Sequence, residues 1–209
     1  MLKRRNLLIG YKTLFGLLGF SAVVTEIAVL VERGIFNPLN FFSYFTIQTN
    51  ILVLITLLLS ALFLAAGKER KLDRLRGAVT VYILIVGIGF SLLLSSMEGL
   101  VLTAAPWDNI VLHYIIPLAV LLDFIIDRPK LTKSFKYKLL WLLFPILYAV
   151  YALTRGLITG WYPYPFLNPE VSGYVHVGLT ILGLTVLGLI LVWGVNLMSA
   201  KSRADSKTS

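Results

Sequence analysis

The chain has 209 residues, 58% of them hydrophobic and only 14% charged, with a mean hydropathy of +0.86. A soluble domain carries about a quarter charged residues, so the composition excludes a soluble globule and points to an all-α, polytopic membrane protein. Nineteen Lys and Arg against ten Asp and Glu give a net charge of +9, and the absence of cysteine excludes disulfides, thiolate metal sites and a cysteine nucleophile.

Six segments approach the roughly 20 apolar residues that a bilayer crossing requires: 7–31, 42–66, 78–100, 110–126, 139–158 and 174–198. They make one domain, 1–199, followed by a polar tail, 200–209, that is expected to be disordered. The first segment has a signal-like start in Lys3, Arg4 and Arg5. Glu26 interrupts its apolar run and no small-x-small cleavage site follows, so it reads as an uncleaved helix. Lys12 lies in its first turns, where its stem is expected to snorkel toward the interface. No internal repeat is evident.

The second segment opens on a polar decamer, Phe41-Phe42-Ser43-Tyr44-Phe45-Thr46-Ile47-Gln48-Thr49-Asn50. Polar groups facing lipid cost free energy unless a helix, cavity or ligand satisfies them. On a helix Ser43, Thr46 and Asn50 stand at i, i+3 and i+7, so they share one inward face with Thr49 on its flank. The bland alternatives are back-bonding of each hydroxyl to the carbonyl four residues earlier, and interhelical hydrogen bonding by Gln48 and Asn50. Glu98 falls at the end of the third segment, on the same side as Glu26, and either acid is explained equally well by interfacial solvation.

The fourth segment carries His113 in its first turn, with Pro117 unable to donate to the His113 carbonyl, so the helix is expected to loosen there. A neutral imidazole in such a place suits acid or base work near pH 7. A His bonded between helices is the alternative. Asp123 lies about 15 Å deeper by helical rise, too far for direct contact with His113. It needs a partner or a proton, and the sequence names none.

Between the fifth and sixth segments runs Gly160-Trp161-Tyr162-Pro163-Tyr164-Pro165-Phe166-Leu167-Asn168-Pro169. Its aromatics suit an interfacial belt, and its prolines equally suit a rigid cover over a polar cavity. His176, just beyond it, reads as interfacial.

The basic residues set the orientation. Lys3, Arg4, Arg5, the 68–76 loop, the 128–138 loop and the tail lie on one side, and only Arg33 and Arg155 on the other. Both termini are therefore expected to be cytoplasmic, and the positive charge is a topological signal that calls for no nucleic acid partner.

The run Phe41 to Phe45, His113 with Pro117 and Asp123, and Trp161 with Tyr164-Pro165-Phe166-Leu167 resemble the androgen-induced-protein family of six-pass membrane hydrolases. The resemblance spans most of the chain. It implies a Thr hydrolase of fatty acid esters of hydroxy fatty acids, in which Ser43 stands where the family has its Thr and His113 where it has its His. It also implies a compact, bacterial-style member of the plasma membrane. Ser in place of Thr, a Pro displaced by about one residue and an additional Tyr-Pro element are departures. They leave Thr46 and Thr49 as rival nucleophiles.

In such a site His113 takes the hydroxyl proton as the oxygen attacks an ester, and Asn50, Gln48 or a backbone N–H holds the oxyanion. Glu26, Glu98, Asp123, Trp161 and Tyr164 are the supporting candidates. Membrane lipids or fatty acid esters are the expected partners, and no cofactor is called for. A different class of function is a small transporter whose Glu26, Glu98, Asp123 and His113 form an ion or proton path. A metal site built on His113 and His176 lacks ligand spacing.

Overall fold

The computed structural model of the chain describes residues 2–68, 71–95, 103, 105–131 and 134–205, with side chains to residue 199. Six helices are long and apolar enough to cross a membrane, and no strand occurs among the described residues. In chain order the helices are α1 (Leu2–Glu32), α2 (Pro38–Phe41), α3 (Phe45–Ala65), α4 (Asp73–Leu93), α5 (Pro106–Ile110), α6 (Ile116–Ile126), α7 (Phe135–Leu139), α8 (Leu143–Thr159), α9 (Pro169–Ser172) and α10 (Tyr174–Asp205). A π-helical turn, Val111–Ile115, joins α5 to α6, and a 3-10 turn, Leu140–Leu142, joins α7 to α8. Each of these joined pairs makes one span, Pro106–Ile126 and Phe135–Thr159.

The first, third, fourth and fifth spans begin four or five residues earlier than expected, at Leu2, Asp73, Pro106 and Phe135, and three further departures have a local reason. The second span begins at Phe45 because the chain first makes the single turn α2, with Pro38 at its first position and the Asn37 side chain accepting the Asn40 N–H at 3.1 Å. Ser43 therefore lies in the turn between α2 and α3, off the helical stripe it was expected to begin. The loosening expected at His113 takes the form of the π turn: Pro117 has no N–H for the His113 carbonyl, and the wider turn absorbs the break. Finally, α10 continues to Asp205, into the segment expected to be a disordered tail.

The centre of the bundle is α4, two-thirds buried (67%), which packs on α3, α6 and α10, while α1 packs most extensively on α3. Val53, Val81, Ile83, Leu112, Ile116 and Phe124 meet there at 1% exposure or less. The outward faces of α1, α8 and α10 carry exposed Leu, Val and Ile side chains, a surface compatible with hydrocarbon.

At the basic end the bundle is closed by buried ions. Lys12 of α1 pairs with Asp123 of α6 and lies 3.0 Å from Asp127. Arg76 of α4 reaches Asp123 at 2.8 Å, Asp127 at 3.1 Å and Asp73 at 3.3 Å. The second Asp73 oxygen accepts the Lys130 N–H at 2.7 Å. The partners of Asp123 are thus Lys12 and Arg76. Lys12 does not snorkel: at 1% exposure it is spent inside the bundle. Nor is Arg76 a loop charge, because it stands in the first turn of α4 and is buried. Apart from such pairing, burial of charges of this kind costs several kcal/mol each.

Candidate functional site

At the opposite end the 160–168 connection folds back over the bundle instead of lying flat as an aromatic belt. Its start is fixed by Gly160, whose φ of 70° ends α8 in the left-handed conformation. Tyr162 lies on Gly156 so closely that a β-carbon there would come within 2.0 Å of the ring. Tyr164 is driven inward, with its ring edge-on to Tyr44 at 5.5 Å and stacked on Phe166 at 5.0 Å. Trp161 packs edge-on to Tyr44 at 5.7 Å, and the Arg155 guanidinium covers its face at 4.3 Å. Gly156→Ala is expected to cost about 1–3 kcal/mol through overpacking, exceeding the gain of up to about 1 kcal/mol in helix propensity. The checks are a lowered Tm in detergent and altered Trp161 fluorescence.

Beneath this cover lies a polar cavity of about 350 Å³ whose walls include Glu26, Arg33, Thr46, His113, Trp161 and Tyr164. Four separate parts of the chain supply them. A second cavity of the same volume lies between α4, α8 and α10, and it is almost wholly apolar, lined by residues such as Val86, Leu93, Ile146, Leu153 and Leu184. Thr46 and Tyr164 line both cavities. They form the partition where a polar and an apolar chamber meet.

His113 is buried at 4% exposure, its ring stacked on Phe90 with centroids 3.9 Å apart. Its Nδ1 lies 3.1 Å from the Asn109 carbonyl oxygen. A carbonyl only accepts, so Nδ1 carries the proton and the neutral ring keeps its lone pair on Nε2. A ring in this tautomer can take a proton on Nε2.

The hydroxyls of the decamer part company. Ser43 is buried, but its Oγ bonds to the Leu39 carbonyl four residues back and to the Tyr151 hydroxyl at 2.6 Å, and its carbonyl accepts from Tyr148 at 2.9 Å. It faces α8, outside the lining of the polar cavity. Thr49 is fully buried with its Oγ1 unpartnered, and it too stands outside that lining. Of these three, Thr46 alone shares the cavity with His113.

Asn50 spends its amide N–H groups on the Thr46 and Leu112 carbonyls at 2.9 and 3.3 Å, leaving Oδ1 buried and unpartnered. Gln48 donates to the Phe42 carbonyl at 2.8 Å. Neither side chain lines the polar cavity. Glu26 is buried in the cavity wall. Glu98 lies outside the described residues, and His176 is exposed on α10. No group of three His, Asp or Glu side chains suited to a metal ion occurs among the described residues. Asp123, the deep acid that a proton path would use, is engaged by two cations at the far end of the bundle.

Two features escape the sequence. The Tyr164 hydroxyl accepts the Thr46 N–H at 3.1 Å and lies 3.2 Å from Thr46 Oγ1. It thereby satisfies one of the donors that every helix start leaves open, here on a helix whose N-cap, Tyr44, provides no side-chain bond. Burial pushes the Tyr164 phenol up to about 12 against the opposing pull of hydrogen bonds from Thr46 and Phe45. Tyr44 is likewise raised, first by burial and then by Glu26. Both phenols therefore remain protonated donors at neutral pH. The second feature is the Arg155 side chain, which reaches Asn40 in the cavity wall at 2.7 Å and so ties α8 to α2.

Comparison with protein-family models, with curated proteins and with solved structures finds no match to the chain.

Proposed function

We propose that the protein is a multi-pass plasma-membrane hydrolase of lipid or fatty acid esters, with both termini cytoplasmic, Thr46 as nucleophile and His113 as its base. The observation that carries this reading is the position of Thr46 in the partition between a polar and an apolar cavity. An amphiphilic ester spanning the two chambers places its acyl chain among the side chains of α4, α8 and α10 and its polar portion near Glu26 and Arg33. The scissile carbonyl then falls at the hydroxyl. Each cavity lies within the roughly 300–1,000 Å³ of small-molecule sites.

His113 Nε2 takes the Thr46 proton as Oγ1 bonds to the ester carbon, and returns it to the departing alcohol oxygen. A water attacks the acyl-threonine in the same way, releasing the fatty acid and restoring the hydroxyl. The resemblance to the androgen-induced-protein family supports the roles of His113 and the Trp161 to Leu167 loop, while the lining of the cavity that His113 shares with Thr46 favours Thr46 over Ser43 as the nucleophile. The test is covalent labelling of the purified protein by an alkyl fluorophosphonate. Labelling is expected to vanish in Thr46→Ala and His113→Ala, with Thr46 as the modified residue by mass spectrometry. Labelling that persists in both variants overturns the assignment.

A further inference from the structure

The mechanism above leaves the charge on the carbonyl oxygen unanswered, since Asn50 and Gln48 are committed to backbone carbonyls. We propose that Tyr164 is the catalytic oxyanion donor: its phenolic O–H bonds to the ester carbonyl oxygen as Thr46 attacks. The inference rests on the hydrolase reading and adds a residue to it.

Three observations support the role. The first is the direction of the proton. The Tyr164 oxygen accepts the Thr46 N–H at 3.1 Å, so its own hydrogen must point elsewhere. Its neighbour Thr46 Oγ1 lies at 3.2 Å, longer than the roughly 2.7–2.8 Å of a well-formed O–H···O bond. The Tyr148 hydroxyl, whose own proton goes to the Ser43 carbonyl, is a second neighbour of the phenol, and an ester carbonyl developing charge beside Thr46 is a stronger acceptor than either hydroxyl.

The second is rigidity. Tyr164 is clamped between Tyr44 and Phe166, and the carbonyl of Pro165 is held by the Ser172 hydroxyl at 3.0 Å. A donor fixed before the substrate arrives needs no reorganisation as charge develops, which is the main source of its catalytic effect. The third is location. Tyr164 lines both cavities, as Thr46 does, so its hydroxyl stands where the ester must cross. No proton leaves the phenol in the step. The carbonyl π pair moves onto oxygen as the Oγ1–C bond forms, the Thr46 proton goes to His113 Nε2, and collapse expels the alcohol with that proton.

The experiment compares the full-length wild type in detergent with Tyr164→Phe, and with a protein carrying 3-fluorotyrosine at position 164, using a p-nitrophenyl fatty acid ester. Tyr164→Phe is expected to lower kcat by about 10²–10³-fold with KM little changed. The fluorinated phenol, a stronger donor of the same shape, is expected to restore kcat to the wild-type level or above. Phe at 164 with wild-type kcat, or a loss confined to KM, overturns the role, as does a fluorotyrosine protein as slow as the Phe variant. Turnover abolished by Thr46→Ala yet unchanged by Tyr164→Phe removes Tyr164 alone. Turnover that survives Thr46→Ala, or a wild type that neither turns over the ester nor takes the fluorophosphonate label, overturns both readings.

Discussion

Replacing Thr46 by Ala is expected to lower ester turnover by at least about 10²–10⁴-fold, the range that a positioned general base supplies, and to leave no further loss for His113→Ala to add. A nucleophile and its base act as a unit, so either single change should cost nearly as much as the pair. Converted at about 1.36 kcal/mol per factor of ten, the loss is about 3–5 kcal/mol of transition-state stabilisation. Ser43→Ala is the informative contrast. Its hydroxyl binds Leu39 and Tyr151 on the α8 side of the turn, so its removal should cost about 1 kcal/mol of stability while turnover stays close to wild type. Steady-state kinetics of the three variants in one detergent decides between the two hydroxyls. A dead Ser43→Ala beside an active Thr46→Ala would return the nucleophile to the turn.

The second large effect is expected at the other end of the molecule. Lys12→Met takes the ammonium away from Asp123 and Asp127, inside a bundle where Lys12, Arg76 and Asp123 are each 5% exposed or less. Breaking a buried pair by removing one partner costs about 3–5 kcal/mol, against 0–1 kcal/mol for an exposed pair. For a chain of this length that corresponds to a fall in Tm of order 10 °C. The double variant Lys12→Met, Asp123→Asn should recover part of the loss, because it removes the orphaned charge as well as its partner. Recovery will be incomplete, since Arg76 also uses Asp123. Thermal unfolding in detergent, followed by helical circular dichroism, measures both, and a Lys12→Met protein as stable as wild type would show that the pair carries little net energy.

Length and apolarity alone mark six spans, because crossing hydrocarbon is a demand on the whole segment and not on any contact. Contacts are where the sequence runs short. Asp123 is conspicuous as a deep acid, yet nothing in local spacing ties it to Lys12, which by position looks like an interfacial residue. Pairing between distant helices is set by how they pack, and the chain does not write that locally. The placement of Ser43 shows a different failure. A helix drawn from residue 42 puts Ser43 on the Thr46 face, but Asn37 followed by Pro38 is a helix-start signal, and it announces the extra turn that sets Ser43 apart. Tyr164 lies in a stretch equally suited to a belt or a cover; its 7% exposure follows from the way the loop folds back over α3.

The ion cluster at the basic end also bears on the order in which the protein is made. Lys12 and Asp123 are separated by 111 residues, so at about 5–20 residues per second roughly 6–22 s of synthesis pass before the ammonium meets its carboxylate. Arg76 waits a shorter time for the same group. When α6 and the Asp127 that follows it emerge, two carboxylates meet the ammonium of α1 and the guanidinium of α4, so that α1 and α4 reach their full pairing only at that moment. A truncated chain ending before Asp123 would leave Lys12 without Asp123 and Asp127 and Arg76 with only its local Asp73 contact, and is expected to be a substrate for quality-control proteolysis.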